Sequence, residues 1–153
     1  MISKTAQYAL RAVALIASEP GKNHGAQELA RRIGAPPNYM GKLLKQLADS
    51  KVLHSVRGNH GGFRLAREPG EIHLIDVVDP IEHVSRWRDC FLDFGACRPD
   101  QPCAIHACWK PIREGFMRLL ETATIDSIPV AESEVVAGHP VDLSAQLSRR
   151  EKT

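Results

Sequence analysis

The chain has 153 residues, 43% of them hydrophobic but only 5% aromatic, and a formal net charge of +2. That length fits one domain with an added dimerisation element, and the composition supports an aliphatic core. No apolar run approaches the roughly 18 residues of a membrane span, and Lys4 and Arg11 interrupt the apolar residues at the start, so a cytoplasmic protein with no membrane partner is expected.

In chain order, Ser3 is placed to cap a first helix, Lys4 to Ser18, whose Ala6, Leu10, Val13 and Ala17 recur at helical spacing. "EPGKN" breaks it. A short helix follows in "AQELARRIG", with Ala26, Leu29, Ala30 and Ile33 on one face and Gly34 as its stop. Pro36 and Pro37 then suit the start of a third helix, where a missing N–H costs little, running to about Asp49. Its Met40, Leu43, Leu44 and Leu47 fall at i, i+3, i+4 and i+7 and face the core. The opposite face presents Asn38, Gly41, Lys42, Lys45 and, at its margin, Tyr39. Two such helices joined by a tight turn form a helix-turn-helix, whose second helix enters a DNA major groove by its N-terminal end.

"KVLHSVRGNHGGFRLARE" reads as strand, glycine-rich tip and strand, with Val52–Val56 and Phe63–Ala66 as the strands. A basic hairpin directly after a helix-turn-helix is a wing. Arg57 sits at its tip and Arg64 on its second strand, both candidates for DNA contact. Charge agrees: residues 1–70 hold eleven Lys/Arg against four acids, a balance of +7, whereas residues 71–153 hold nine against fourteen, a balance of −5. A basic half joined to an acidic half points to a polyanion as partner of the first.

"IHLIDVVDPIE" gives a short helix with Ile72, Ile75, Val78 and Ile81 as its buried side and Pro80 as its end or kink. After the cysteine segment, "WKPIREGFMRLLETATI" is helical, with the regular part starting or kinking at Pro111 and Ile112, Phe116, Leu119, Leu120 and Ala123 as an apolar stripe. The stripe suits packing on its own domain or on the same helix of a second subunit. From Pro129 the chain is polar and weakly periodic, a flexible tail. The expected fold class is mainly α with a small β-wing: a winged helix-turn-helix (residues 1–70), a cysteine loop and long C-terminal dimerisation helix (71–128), and the tail (129–153).

All four cysteines lie in "CFLDFGACRPDQPCAIHAC", spaced Cys90-x6-Cys97-x5-Cys103-x4-Cys108, with His106 between the last two. In a reducing compartment thiols in such number suggest metal or redox chemistry rather than disulfides. Structural zinc usually uses C-x2-C knuckles, which are absent here. An irregular loop with Gly95, Pro99 and Pro102 suits wrapping a larger group, and an iron–sulfur cluster takes thiolate ligands, though zinc stays open on spacing alone. No cysteine is paired with an evident base and orienter in a cleft, so enzyme function is not expected. The other histidines, His24 among them, suggest only surface or packing roles.

Several stretches together resemble the Rrf-type family of bacterial winged-helix regulators, with its IscR-like, NsrR-like and RirA-like branches. They are "MISKTAQYALRAV", "RIGAPPNYMGKLLKQL", "VRGNHGGFRLAR" and the spaced cysteines before the last helix. The resemblance covers about residues 1–128. It implies a homodimeric repressor or activator that binds double-stranded DNA at a palindromic operator. It also implies an iron–sulfur cluster, 2Fe–2S or 4Fe–4S, held by Cys90, Cys97 and Cys103 and controlling DNA binding. "CAIH" is similar to the Cys-x2-His of the IscR-like branch, which makes His106 the candidate fourth ligand and Cys108 the alternative. Were the helix to begin near Cys103, His106 would share its face and Cys108 would point away. Other branches take a ligand from the partner's first helix, where this chain has Gln7, Tyr8 and Arg11 and no carboxylate. A zinc- or thiol-based regulator without a cluster is the alternative.

Overall fold

A computed structural model describes residues 2–86, 100–128 and 130. The first helix, α1 (Lys4–Ser18), is capped by Ser3, whose Oγ accepts the Ala6 N–H at 3.2 Å. Ala6, Ala9, Ala12, Val13, Ala14, Leu15 and Ile16 are all buried, so the expected single stripe was too narrow, and its Leu10 and Ala17 are only half-buried. Four alanines explain the difference: their small side chains let neighbours close on α1 from several sides.

Helix α2 (Ala26–Ile33) ends at Gly34, whose φ of 70° is the left-handed conformation that a side chain disfavours. The chain turns through Ala35 and Pro36 into α3 (Pro37–Asp49), which buries Met40, Leu43, Leu44 and Leu47, the expected four. Strand β1 (Leu53–Val56) pairs antiparallel with β2 (Gly62–Leu65), Leu53 opposite Leu65 and Val56 opposite Gly62. Val52 lies buried just before β1, its carbonyl accepting the Ala66 N–H at 3.0 Å. The hairpin is fastened to the body by His24, between α1 and α2, which exchanges two backbone hydrogen bonds of 2.9 Å with Phe63. The approach requires glycine at position 62: φ is +147°, and a Cβ there would lie 2.6 Å from the His24 carbonyl oxygen.

Helix α4 (Leu74–Glu82) starts after Ile72 rather than at it, with the Asp76 carboxylate accepting the His73 N–H at 3.0 Å. Its buried residues are Val77 and Val78, while Ile75 and Ile81 are half-buried. The expected side is met in part: Ile72 and Val78 are fully buried, Ile75 and Ile81 pack partly, and Val77 adds to them because α4 faces two cores, Val77 packing in the main one with α1, α2 and α3 and Val78 in a smaller one with Ala6, Val84 and Leu120.

Helix α5 (His106–Thr122) begins before Pro111 and runs through it, so the regular part does not start at the proline. The apolar stripe divides. Leu120 is buried, Phe116 and Met117 pack partly against the smaller core, and Ile112 and Leu119 are exposed at 63% and 36%. Past α5 the chain returns beside the start of α4, with Leu74 N–H to Ala123 O and Ile125 N–H to Ile72 O at 2.9 Å each. Ile125, and more weakly Val130, pack in the main core. Residues 87–99, 129 and 131–153, which include the expected tail, lie outside the described residues. Among the described residues no helix is long and apolar enough to cross a membrane.

Candidate DNA interface and cysteine segment

With its apolar side spent on the core, α3 turns Asn38, Tyr39, Lys42 and Lys45 outward, and all four are exposed. Arg57, directly after β1, and Arg64, on β2, are exposed on the hairpin. None of Lys42, Lys45, Arg57 and Arg64 makes an ion pair among the described residues. Charges left without a partner on one helix face and the adjoining hairpin are free to meet phosphates. Tyr39, 41% exposed in the first turn of α3, is held by a 2.9 Å hydrogen bond between its hydroxyl and Thr5 Oγ1.

Other bases of the first half have structural partners. Lys22 Nζ donates to Glu19 and Glu28 at 2.9 Å each, Arg32 bonds Glu19 at 2.5 Å, and Arg67 meets Asp76 at 3.1 Å. The bonds from Lys22 and then Arg32 hold the Glu19 carboxyl down at about 2, and the Lys22 bond lowers Glu28. Beside this network His24 is fully buried, and neither ring nitrogen has a hydrogen-bond partner among the described residues. The Glu19 carboxylate lies 4.0 Å from its Nε2. Burial pushes the His24 pKa below its ordinary value and outweighs the attraction of Glu19. Nothing in the sequence marks His24 as different from the exposed His54 or His60, since its burial comes from the hairpin closing over it.

Of the candidate cluster ligands, Cys103, His106 and Cys108 are described, and Cys90 and Cys97 lie outside the described residues. Cys103 and Cys108 are free, exposed thiols. His106 is half-buried at the first position of α5, and its N–H bonds the Cys103 carbonyl at 3.0 Å. Cys103 therefore sits in the turn before α5, three residues ahead of the helix start, whereas the preference for His106 over Cys108 is conditioned on a helix beginning near Cys103. Among the described residues no three metal-binding side chains converge. Sequence reasoning did not single out Thr5, Gln46 or Glu82, whose hydrogen bonds reach across 34 to 79 residues.

A helix-turn-helix with an attached two-stranded hairpin and unpaired cations along its outer face defines a winged-helix transcriptional regulator. Residues 2–130 match the family model Rrf2, described as iron-dependent transcriptional regulator, and the chain belongs to that family. A Mycobacterium tuberculosis protein named for helix-turn-helix-type transcriptional regulation, Rv1287, is 33% identical over 153 residues, covering 97% of this chain and 94% of that one. The regulator NsrR of Shouchella clausii is 24% identical over 132 residues, covering 85% and 89%. Among solved structures, CymR, the global cysteine regulator of B. subtilis, superposes with a TM-score of 0.68 at 23% identity, covering 82% of this chain and 93% of that one. The IscR of T. potens gives 0.66 at 22% identity, covering 82% and 83%. These likenesses carry the winged-helix fold, and the relatives are regulators rather than enzymes.

Proposed function

We propose that this regulator is a homodimeric repressor of palindromic operators whose DNA affinity is set by an iron–sulfur cluster on Cys90, Cys97, Cys103 and His106. The observation that carries the DNA part is the exposed, unpaired row of Lys42 and Lys45 on α3 with Arg57 and Arg64 on the hairpin. Asn38 and Tyr39 lie at the end of α3 that would enter the groove, where base edges are read. Dimerisation is supported by Ile105, Ile112 and Leu119, exposed at a seven-residue spacing along and just before α5. Such a row matches the seam by which two helices pair.

The donor chemistry fits a cluster. Cys103 and Cys108 are unbridged and exposed, and His106 brings an imidazole within the same short span. A bound cluster would supply a redox- and ligand-sensitive centre, with a neutral histidine ligand raising its potential relative to a thiolate. Cys103, His106 and Cys108 lie at the N-terminal end of α5, so their ligation state bears directly on the helix assigned to the dimer. The exposed pair Cys103 and Cys108 also favours a second reading, a thiol-based regulator without a cluster.

The DNA assignment is tested by replacing Lys42, Lys45 and Arg57 with alanine together. Affinity for duplex DNA selected from a randomised pool should fall, and the salt dependence should flatten by about one unit of slope per lost phosphate contact. Parent-like binding by the triple variant would refute it.

A further inference from the structure

The carboxyl end of α4 reaches α3 directly at Gln46 and, through the start of α1, indirectly at Tyr39. In a continuing helix the Pro80 carbonyl would take its hydrogen from Val84, but the chain leaves the helix at His83, whose φ is 53°. Gln46 of α3 supplies the hydrogen instead, its Nε2 donating to Pro80 O at 2.5 Å. Two residues on, Glu82 Oε1 accepts the backbone N–H of Ser3 at 2.5 Å. Ser3 is the cap of α1, and the first turn of α1 has no acidic residue, so Glu82 supplies the negative charge that a helix start favours. From that turn Thr5 holds the Tyr39 hydroxyl at 2.9 Å, in the first turn of α3. Ala6, Val78 and Val84 pack beneath these bonds and keep α1 and α4 in register.

We propose that Gln46 and Glu82 are positioning residues that set the angle at which α3 meets DNA, a role that rests on α3 being the DNA-reading helix. Tyr39 and Gln46 are seven residues apart, about 10 Å along a helix rising 1.5 Å per residue. A helix pinned at two points that far apart has a defined tilt, and a displacement of about 1 Å at one of them turns it by about 5°. Base contacts need that alignment, whereas attraction to phosphates does not. Neither bond fills the core, because Gln46 is exposed and Glu82 half-buried, so their loss should alter placement more than folding. The chain leaves α4 through Val84–Arg86, with Ser85 N–H bonded to Asp79 Oδ1 at 2.7 Å. The same end of α4 that holds α3 is therefore the anchor from which the chain continues towards Cys90.

The test is the ratio of affinities for a selected operator duplex and a random-sequence duplex of equal length, measured on the full chain alongside thermal melting. Gln46→Met and Glu82→Leu should each lower that ratio about tenfold while melting and binding to the random duplex stay near the parent. Glu82→Gln, which keeps an acceptor oxygen, should behave as the parent. Parent-like ratios in both Gln46→Met and Glu82→Leu would overturn the proposal. A loss confined to Gln46→Met would overturn it in favour of direct base contact by Gln46, and a loss in Glu82→Gln equal to that in Glu82→Leu would overturn the positioning role of the Glu82–Ser3 bond. Failure of the parent to bind either duplex would instead defeat the reading of α3 as a DNA helix.

Discussion

The two cores of the molecule are built on different plans. The main core closes around α1 with contributions from α2, α3, the hairpin, α4 and Ile125, and its Leu29, Met40, Leu44 and Leu47 are fully buried. Among the described residues the smaller core has four buried ones, Ala6, Val78, Val84 and Leu120, and Leu120 is the single buried residue of the 17-residue α5. The DNA-reading head therefore packs as a complete unit on its own chain. Helix α5 is attached along one edge and leaves Ile112 and Leu119 outside. A head that is finished and an appendage that is not suggest that the second is completed by assembly.

The largest expected effect comes from emptying the main core. Leu44→Ala should cost about 2–5 kcal/mol, with the whole chain unfolding earlier in urea. Leu120→Ala should cost about 2 kcal/mol, at the low end of that range, because a shallow cluster relaxes more readily. Equal losses in the two variants, followed by circular dichroism, would mean that both cores resist cavities alike and would erase the contrast.

Next comes the outer side of α5. Ile112→Glu should yield monomer in analytical ultracentrifugation with little loss of folded structure, since residue 112 is 63% exposed within its own chain. Phe116→Glu, which touches the smaller core as well, should lower stability in addition. A stable dimer in the Ile112→Glu variant would move the interface elsewhere.

The smallest effect is titration around the head. Burial lowers the His24 pKa, so below its ordinary value of 6.5 the unfolded chain binds a proton that the folded chain refuses. Stability should be level above that pH and decline as pH falls through it. Glu19, Lys22, Glu28 and Arg32 surround the imidazole. Glu19, lowered from 4.5 to about 2, adds stability above 4.5 that is lost as pH falls towards 2. His24→Leu should remove the first limb of the urea-midpoint profile and leave the second. An unchanged profile would show that His24 is not the group that titrates.

The head was legible in the sequence for a physical reason. Met40, Leu43, Leu44 and Leu47 repeat at helical spacing because α3 has one buried face, and Gly34 ends α2 because the turn needs a left-handed residue. The reading failed where a helix serves more than one neighbour. Helix α1 is buried on several sides, and α4 divides Val77 and Val78 between two cores, so a single stripe describes neither. Local propensity reads Pro111 as the start of the regular helix or a kink in it; the helix starts earlier, at His106, and continues through the proline. Tertiary hydrogen bonds such as Thr5 to Tyr39 and Gln46 to Pro80 leave no periodic trace, and the sites they link were invisible until the fold placed them.

The most direct test of cluster control measures operator affinity of the anaerobically isolated protein before and after removal of iron, with iron, sulfide and visible absorption followed in the same samples. Under cluster control, iron and sulfide should be found together, with a visible chromophore lost in Cys90→Ala, Cys97→Ala and Cys103→Ala, and affinity should change by about tenfold or more when the cluster is removed, within the usual range for coupled sites. Protein that holds only zinc or no metal, or whose affinity for the operator is the same with and without the cluster, would contradict it.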